Sequence, residues 1–141
     1  MAFLLDTNVV SELVSPQPDP GVAAWLAGVS TTLSYLSVIT LGELRTGIVH
    51  LPPSRRRAAL EEWLQRELLP TYAGRILPVD EAVADRWGQL DGEAKRRGRP
   101  LPTADGLLAA TALHFNLRLV TRDWKPLVGA GVAFLDPWTG D

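Results

Sequence analysis

AFLLDTN, residues 2–8, places a short apolar run directly before an acidic residue. The run Ala2–Leu5 has no polar side chain, which is typical of a strand buried on both faces in a parallel sheet. Asp6 ends the strand, and Thr7 and Asn8 can cap a helix that follows it. This opening predicts an α/β fold with Asp6 at the carboxyl edge of the sheet, where such folds bind ligands.

The alternation of strands and helices continues along the chain. Further strands are predicted at Leu33–Leu36, Ile76–Leu77, Leu117–Val120 and Val132–Leu135. Helices are predicted at about 19–26, 37–50, 54–69, 80–97 and 103–115. This order predicts a three-layer α/β sandwich with a mainly parallel central sheet of about five strands. Residues 1–141 are expected to form one domain, because no linker or repeat divides them.

Composition excludes several classes of protein. The chain is 46% hydrophobic, which is enough for a core and too much for a disordered chain. It has no cysteine, so disulfides and thiolate metal sites are excluded. The apolar start is too short for a signal peptide or membrane anchor, so a cytoplasmic location without membrane contact is expected. The formal net charge is −2, so any nucleic-acid binding would depend on local patches.

Four acidic residues are predicted to meet at one edge of the sheet. Asp6 ends the first strand, and Asp123 lies just past the fourth. Glu43 lies in the helix after the second strand, and Asp105 lies in the first turn of the helix before the fourth. Each has a purely structural alternative as a helix cap, a first-turn acid favoured by the helix dipole, a solvated helix residue or a turn residue. Their coincidence at two strand ends and the adjacent helices favours a shared site, and Mg²⁺ and Mn²⁺ prefer such oxygen ligands.

The helix predicted after the second strand carries two stripes of side chains. The stripe expected to face the core is Val38, Leu41, Leu44 and Ile48. The other stripe is Thr40, Glu43 and Gly47. Because the neighbours of Glu43 on this stripe are small, they leave room for a ligand. Arg45 lies about 200° around the helix from Glu43, so it is not expected to be catalytic.

Five segments of the chain resemble one known family. They are LLDTNVVSEL (4–13), SVITLGELRTGI (37–48), GRPLPTADGLLAATA (98–112), LRLVTRD (117–123) and the closing LDPW (135–138). In this order they resemble the PIN-domain ribonucleases, and in particular the FitB-like branch of the VapC-type toxins of bacterial toxin–antitoxin pairs. The resemblance covers essentially the whole chain.

The resemblance implies an endoribonuclease that depends on Mg²⁺ or Mn²⁺, acts on RNA, forms a homodimer and has a cognate antitoxin. It implies that Asp6, Glu43 and Asp105 are the core catalytic and metal-binding acids. It also implies polar support by Thr7, Asn8 and Thr121. A C2 homodimer is expected as well because the helices at 54–69 and 80–97 carry more large apolar residues than one sheet face needs.

The fourth acidic position departs from the common pattern of the family. Many relatives have asparagine where this chain has Asp123, and an aspartate three residues later, where this chain has Pro126. Other relatives have an acid at the position of Asp123. The resemblance therefore implies Asp123 as the fourth catalytic and metal-binding residue.

Two alternative functions remain open from the sequence. An aspartate-based phosphatase could use Asp6 as its nucleophile, but that family has a second aspartate where Asn8 stands. A non-catalytic PIN module would only bind a partner, and the presence of all four acids argues against it. For the ribonuclease, attack by a metal-activated water predicts 5′-phosphate and 3′-hydroxyl products. The rival route through the RNA 2′-hydroxyl often uses paired histidines, and His50 and His114 lie beside no acidic motif.

Overall fold

The computed structural model describes residues 1–141 and contains five short strands separated by helices. The strands are β1 (Phe3–Leu5), β2 (Ser34–Ser37), β3 (Ile76–Leu77), β4 (Arg118–Val120) and β5 (Phe134–Leu135). The α-helices are α1 (Thr7–Ser11), α2 (Pro20–Gly28), α3 (Val38–His50), α4 (Arg55–Trp63), α5 (Leu69–Thr71), α6 (Glu81–Arg96) and α7 (Thr103–His114). A π-helical turn at Leu64–Leu68 joins α4 to α5. None of the helices combines the length and the apolar character that crossing a bilayer requires.

The five strands form one parallel sheet in the order β3-β2-β1-β4-β5. Every adjacent pair is parallel, and Leu5 of β1 is in register with Val120 of β4. The predicted parallel sheet of five strands is therefore confirmed. Because β1 and β4 are neighbours, the residues that follow them emerge side by side at the carboxyl edge.

The sheet is buried on both faces, as the apolar run in β1 predicts. Leu5 and Val120 belong to one core cluster, and Leu4 and Leu119 belong to another. The first cluster includes residues of α1, α2, α3 and the π turn, namely Val9, Val10, Val22, Leu44, Ile48 and Leu64. The second includes Leu108, Ala109 and Ala112 of α7. Since alternate residues of a strand point to opposite faces, the two clusters make the fold a three-layer sandwich.

Side-chain caps explain where several of the helices begin. Ser37, Ser54 and Asp80 each accept a hydrogen bond from a backbone N–H in the first turn of the helix that follows. The prediction that Thr7 or Asn8 caps α1 is wrong, because the cap is Asp6, whose Oδ1 accepts from the N–H of Thr7 at 2.6 Å. The side chains of Thr7 and Asn8 are therefore available for other contacts.

One residue of the predicted core stripe of α3 lies outside the core. Leu44 and Ile48 are buried as expected, but Val38 is 38% exposed. Thr40, which was assigned to the other stripe, is fully buried. Val38 is the first residue of the helix, where no preceding turn of α3 covers it. Because Ile39, Thr40 and Leu41 are already buried or packed against the core, Val38 alone of the first turn lies outside it.

Candidate active site

The four acidic side chains are carried by four different elements around the carboxyl edge of the sheet. Asp6 follows β1, and its backbone N–H donates to the carbonyl of Val120 at the end of β4 at 3.0 Å. Asp123 lies three residues beyond Val120. Glu43 comes from α3 in one helical layer, and Asp105 comes from the first turn of α7 in the other. The strand order therefore brings residues from both layers of helices to one edge.

Asp6 is the most buried of the four acids, with 6% of its surface exposed. Its Oδ2 accepts a hydrogen bond from the hydroxyl of Thr121 at 2.7 Å, and its Oδ1 accepts from the N–H of Thr7. Burial raises its pKa, the charges of Glu43 and Asp123 raise it further, and the two hydrogen bonds act in the opposite direction. Hydrogen bonds to the ionised form thus offset part of the cost of burying this carboxylate.

The side chains of Thr7 and Asn8 connect the remaining acids to α1. The hydroxyl of Thr7 donates to Oε1 of Glu43 at 2.6 Å. Nδ2 of Asn8 donates to Oδ2 of Asp123 at 2.9 Å and approaches Oδ2 of Asp6 at 3.4 Å. Together with Thr121, the three residues predicted as polar support each donate to at least one of the predicted acidic residues.

Asp105 is coupled to the cluster through charge. Desolvation raises its pKa, and the charges of Asp6, Asp123 and Glu43 raise it further, to about 6. Asp105 is therefore repelled by each of the other three acids. A cation among them would relieve this repulsion.

The donor set fits a hard divalent cation, although the ligands are not assembled around one. No group of three or more acids, histidines or cysteines has the spacing of a completed metal site in this structure. The clustered donors are carboxylate oxygens, which suit Mg²⁺ or Mn²⁺. Oδ1 of Asn8 is a further oxygen beside them, buried and without a hydrogen-bond partner. His50 and His114 lie at the ends of α3 and α7, outside the cluster.

A cleft of about 290 Å³ opens beside Glu43. Its lining includes Thr7, Glu43 and Gly47, with apolar walls from α3 and α4. Glycine at 47 leaves the space that the small-residue stripe predicted, whereas Thr40 is buried and contributes none. Arg45, from the same motif, instead pairs with Glu61 of α4 at 2.7 Å. Glu43 is therefore the member of the acidic cluster that the cleft reaches, and Arg56 is a cation in the same lining.

One buried carboxylate near this edge was not singled out from the sequence. Asp136 directly follows β5, as Asp6 follows β1, and only 4% of its surface is exposed. Its position after a strand is the signal that could have identified it. The strand predicted at Val132–Leu135 ends directly before Asp136, so the same argument that was applied to Asp6 extends to this residue.

Comparison with known proteins gives concordant matches. The model of the PIN domain matches residues 3–128. The chain is 44% identical over 136 residues to toxin FitB of Neisseria gonorrhoeae, covering 96% of this chain and 98% of that protein. It is 40% identical over 136 residues to VapC ribonuclease Y4jK of Sinorhizobium fredii, covering 96% of this chain and 97% of that protein.

The folds agree as closely as the sequences. The crystal structure of FitAcB from Neisseria gonorrhoeae matches with a TM-score of 0.91 and 44% identity, covering 96% of this chain and 98% of that one. More distant matches, at 25–27% identity, include chains from toxin–antitoxin complexes and from VapBC bound to DNA. The likeness extends over the whole sheet and both layers of helices.

Proposed function

This chain belongs to the PIN-domain family, and on that premise we propose that it is an endoribonuclease acting as the toxin of a toxin–antitoxin pair. The observation that carries the proposal is the convergence of four carboxylates from four elements at one sheet edge. Clustered carboxylates destabilise a fold because their charges repel, so a cluster of this kind is typical of a functional site. Metal-dependent hydrolysis of phosphodiesters would use such a cluster, because it places cations close to the substrate phosphate.

The proposed metal ligands and catalytic residues are Asp6, Glu43, Asp105 and Asp123. A bound Mg²⁺ or Mn²⁺ would supply activation of water and stabilisation of charge on the phosphate oxygens. The supporting residues set the directions of the ligands. Thr121 fixes Asp6, Thr7 fixes Glu43, and Asn8 fixes Asp123, each through a hydrogen bond. This preorganisation leaves less to rearrange when substrate binds.

The proposed substrate is RNA, held with its phosphate at the acidic cluster. Direct contact between phosphate and four carboxylates would be repulsive, so a cation has to lie between them. The formal charge of −2 gives the chain no general attraction for nucleic acid. Recognition of the RNA should therefore depend on the cation and on local contacts around the site.

A cleavage assay with defined ends tests this function. Labelled RNA is incubated with the protein in EDTA or with Mn²⁺, and the products are mapped by ligation. We expect cleavage only with Mn²⁺, with 5′-phosphate and 3′-hydroxyl products, and at least a hundredfold loss of rate in Asp105→Asn, about the cost of removing one charge-stabilising group. Cleavage in EDTA, or products with a 2′,3′-cyclic phosphate, would contradict the proposal.

The cleft beside Glu43 is the proposed contact for the cognate antitoxin. Its walls include Leu44, Ile48, Leu60 and Trp63, and Glu43 of the acidic cluster lies in its lining. An amphipathic helix could bury its apolar face there and present a basic side chain to the carboxylates. Such a partner would inhibit by occupying the position of the cation. Mixing the purified antitoxin with Leu60→Glu should then give weaker binding than with the parent protein.

A homodimer is proposed for the free toxin. Trp87 and Leu90 of α6 are only half-buried, and Val128 is 62% exposed. Leu90 and Val128 also line a cleft of about 370 Å³ between α6 and the loop after Asp123. A second copy related by a two-fold axis would cover these apolar side chains.

A further inference from the structure

Asp123 lies in a loop, and hydrogen bonds within that loop do not fully account for its position. It follows β4 and precedes the 3₁₀ turn Lys125–Leu127, and its side chain is exposed. Its N–H donates to the hydroxyl of Thr121 at 3.0 Å, and Asn8 contacts its carboxylate. A loop residue that must hold a metal needs support from outside the loop, because loops are more mobile than strands.

The residue after Asp123 is held by the segment that follows β5. The indole Nε1 of Trp124 donates to Oδ2 of Asp136 at 3.0 Å. The ring of Trp124 also stacks on Phe134, with ring centroids 5.3 Å apart and an angle of 10° between the planes. One hydrogen bond and one aromatic contact therefore fix both the position and the tilt of this ring.

The residue before Asp123 is held by the same segment. The guanidinium of Arg122 lies over the ring of Trp138, 4.7 Å from its centroid. The N–H of Trp138 in turn donates to Oδ1 of Asp136 at 2.9 Å. Both carboxylate oxygens of Asp136 thus accept a hydrogen bond. One bond holds Trp124, and the other holds Trp138, which contacts Arg122. We call Phe134, Asp136 and Trp138 the C-terminal clamp.

Packing alone does not explain an aspartate at the centre of this clamp. Asp136 is 4% exposed, and no ion pair compensates its charge. An ionised carboxylate is costly to bury, and its hydrogen bonds only offset that cost. A carboxylate can accept from two donors at once, whereas an amide offers one oxygen. The geometry needs two acceptors, one for Trp124 and one for Trp138.

We propose that Asp136 is a positioning residue that, through Trp124 and Trp138, holds Asp123 in place to bind the catalytic cation. The proposal rests on the proposed function, because it assumes that Asp123 is a metal ligand. The clamp lies after residue 128, where the match to the family model ends. The proposal therefore gives a positioning role to a segment that lies beyond the residues matched by the family model.

Two substitutions separate the hydrogen bond from the packing. Asp136→Asn keeps the size of the side chain but places an NH₂ group against either the indole N–H or the N–H of Trp138. Trp124→Phe keeps an aromatic ring to stack on Phe134 and removes only the N–H donor. Asp80→Asn is the matched control, because Asp80 also accepts a hydrogen bond from a backbone N–H and its substitution also removes one negative charge.

The main readout is the Mn²⁺ concentration that gives half of the maximal rise in Tm, which requires no RNA. We expect Asp136→Asn to raise this midpoint about tenfold, the lower end of the effect of removing a direct partner of a metal ligand, because Asp136 acts on Asp123 only through neighbouring residues. Trp124→Phe should raise it in the same direction, and the double variant should be no worse than Asp136→Asn alone, because both remove the same contact. Asp80→Asn should leave the midpoint unchanged.

Hydrogen exchange in metal-free protein provides an independent readout. Backbone amides at 121–125 should exchange faster in Asp136→Asn and in Trp124→Phe than in the parent and in Asp80→Asn. The proposal is overturned if Asp136→Asn or Trp124→Phe melts at a lower temperature yet keeps the Mn²⁺ midpoint of the parent, because these contacts would then serve stability alone. If Mn²⁺ fails to raise the Tm of the parent, the proposed metal site fails, and this inference fails with it. If Asp136→Asn does not fold, Trp124→Phe alone decides.

Discussion

At the scale of single residues, the most consequential side chain is Asp105. It lies in the first turn of α7, where a negative charge is favoured by the helix dipole by about 0.3–1 kcal/mol. Its pKa is nevertheless raised to about 6 by desolvation and by the three neighbouring carboxylates. Desolvation and repulsion therefore raise the pKa of Asp105 by more than the helix dipole lowers it. A residue selected only to begin a helix would not be placed among three other acids.

This raised pKa gives a prediction with a definite sign. The folded protein binds the proton of Asp105 more tightly than the unfolded chain, whose value is near 3.8. The stability of the metal-free protein should therefore fall as pH rises from about 4 to about 6, and the penalty should then remain. Asp105→Asn removes this penalty, because an amide carries no charge at any of these pH values. In EDTA the variant should melt close to the parent near pH 4 and above the parent at pH 7.

Thermal melts at the two pH values, with and without Mn²⁺, measure this difference. Mn²⁺ at pH 7 should raise the Tm of the parent more than that of Asp105→Asn, because binding to the folded state alone stabilises it. If the variant instead melts below the parent at pH 7 in EDTA, Asp105 stabilises the fold, and the repulsive cluster is wrong.

At the scale of elements, close packing of α7 on α6 sets the position of the first turn of α7, which carries Asp105. A Cβ atom on Gly106 would lie 3.0 Å from Nε1 and 3.1 Å from Cδ1 of Trp87. The indole is large and its Nε1 is buried, so it cannot move aside without opening the contact. Glycine at 106 therefore lets α7 approach α6 closely, right beside the acidic residue.

Gly106→Ala should destabilise the protein although alanine is the better helix former. Overpacking costs about 1–3 kcal/mol, against a gain in helix propensity of about 1 kcal/mol. The Tm should fall by several degrees, since each kcal/mol corresponds to roughly 2–8 °C. Gly92→Ala on α6 is the control, because no atom lies within 4 Å of its Cβ position, and it should raise the Tm. An equal rise in both variants would contradict close packing at Gly106.

At the scale of the whole molecule, the topology builds the site. Asn8 and Asp123 are 115 positions apart in sequence and are joined by a hydrogen bond because β4 lies beside β1. The helical layer that contains α3 contributes Glu43, and the opposite layer contributes Asp105. The acidic cluster therefore exists only when both layers are docked on the sheet.

The homodimer is also a property of the whole molecule. Light scattering at micromolar concentration should give twice the 15.4 kDa of one chain. Val128→Glu should shift the mass toward the monomer, because it places a charge in the apolar surface proposed as the interface. It should leave the metal-free Tm at low protein concentration nearly unchanged, since Val128 is exposed. A parent protein that is monomeric at this concentration would contradict the dimer.

The sequence by itself determined the alternation of strands and helices, most helix caps and the edge at which the acids follow their strands. These features are local, because strand burial and capping depend on residues within a few positions of one another. The helices predicted to begin at about 37, 54 and 80 do begin there, capped by Ser37, Ser54 and Asp80. Asp6 has two roles, helix cap and site residue, and only the contact of its Oδ1 with the N–H of Thr7 separates them.

The tertiary structure alone decided which distant side chains meet. It showed that Asn8 reaches Asp123, that Val38 lies outside the core, and that Asp136 supports both neighbours of Asp123. The physical reason is that such contacts depend on strand order and on the docking of helices, which bring together residues with no local pattern in common. The sequence places Asp136 directly after a predicted strand, but only its partners in space, Trp124 and Trp138, indicate its role.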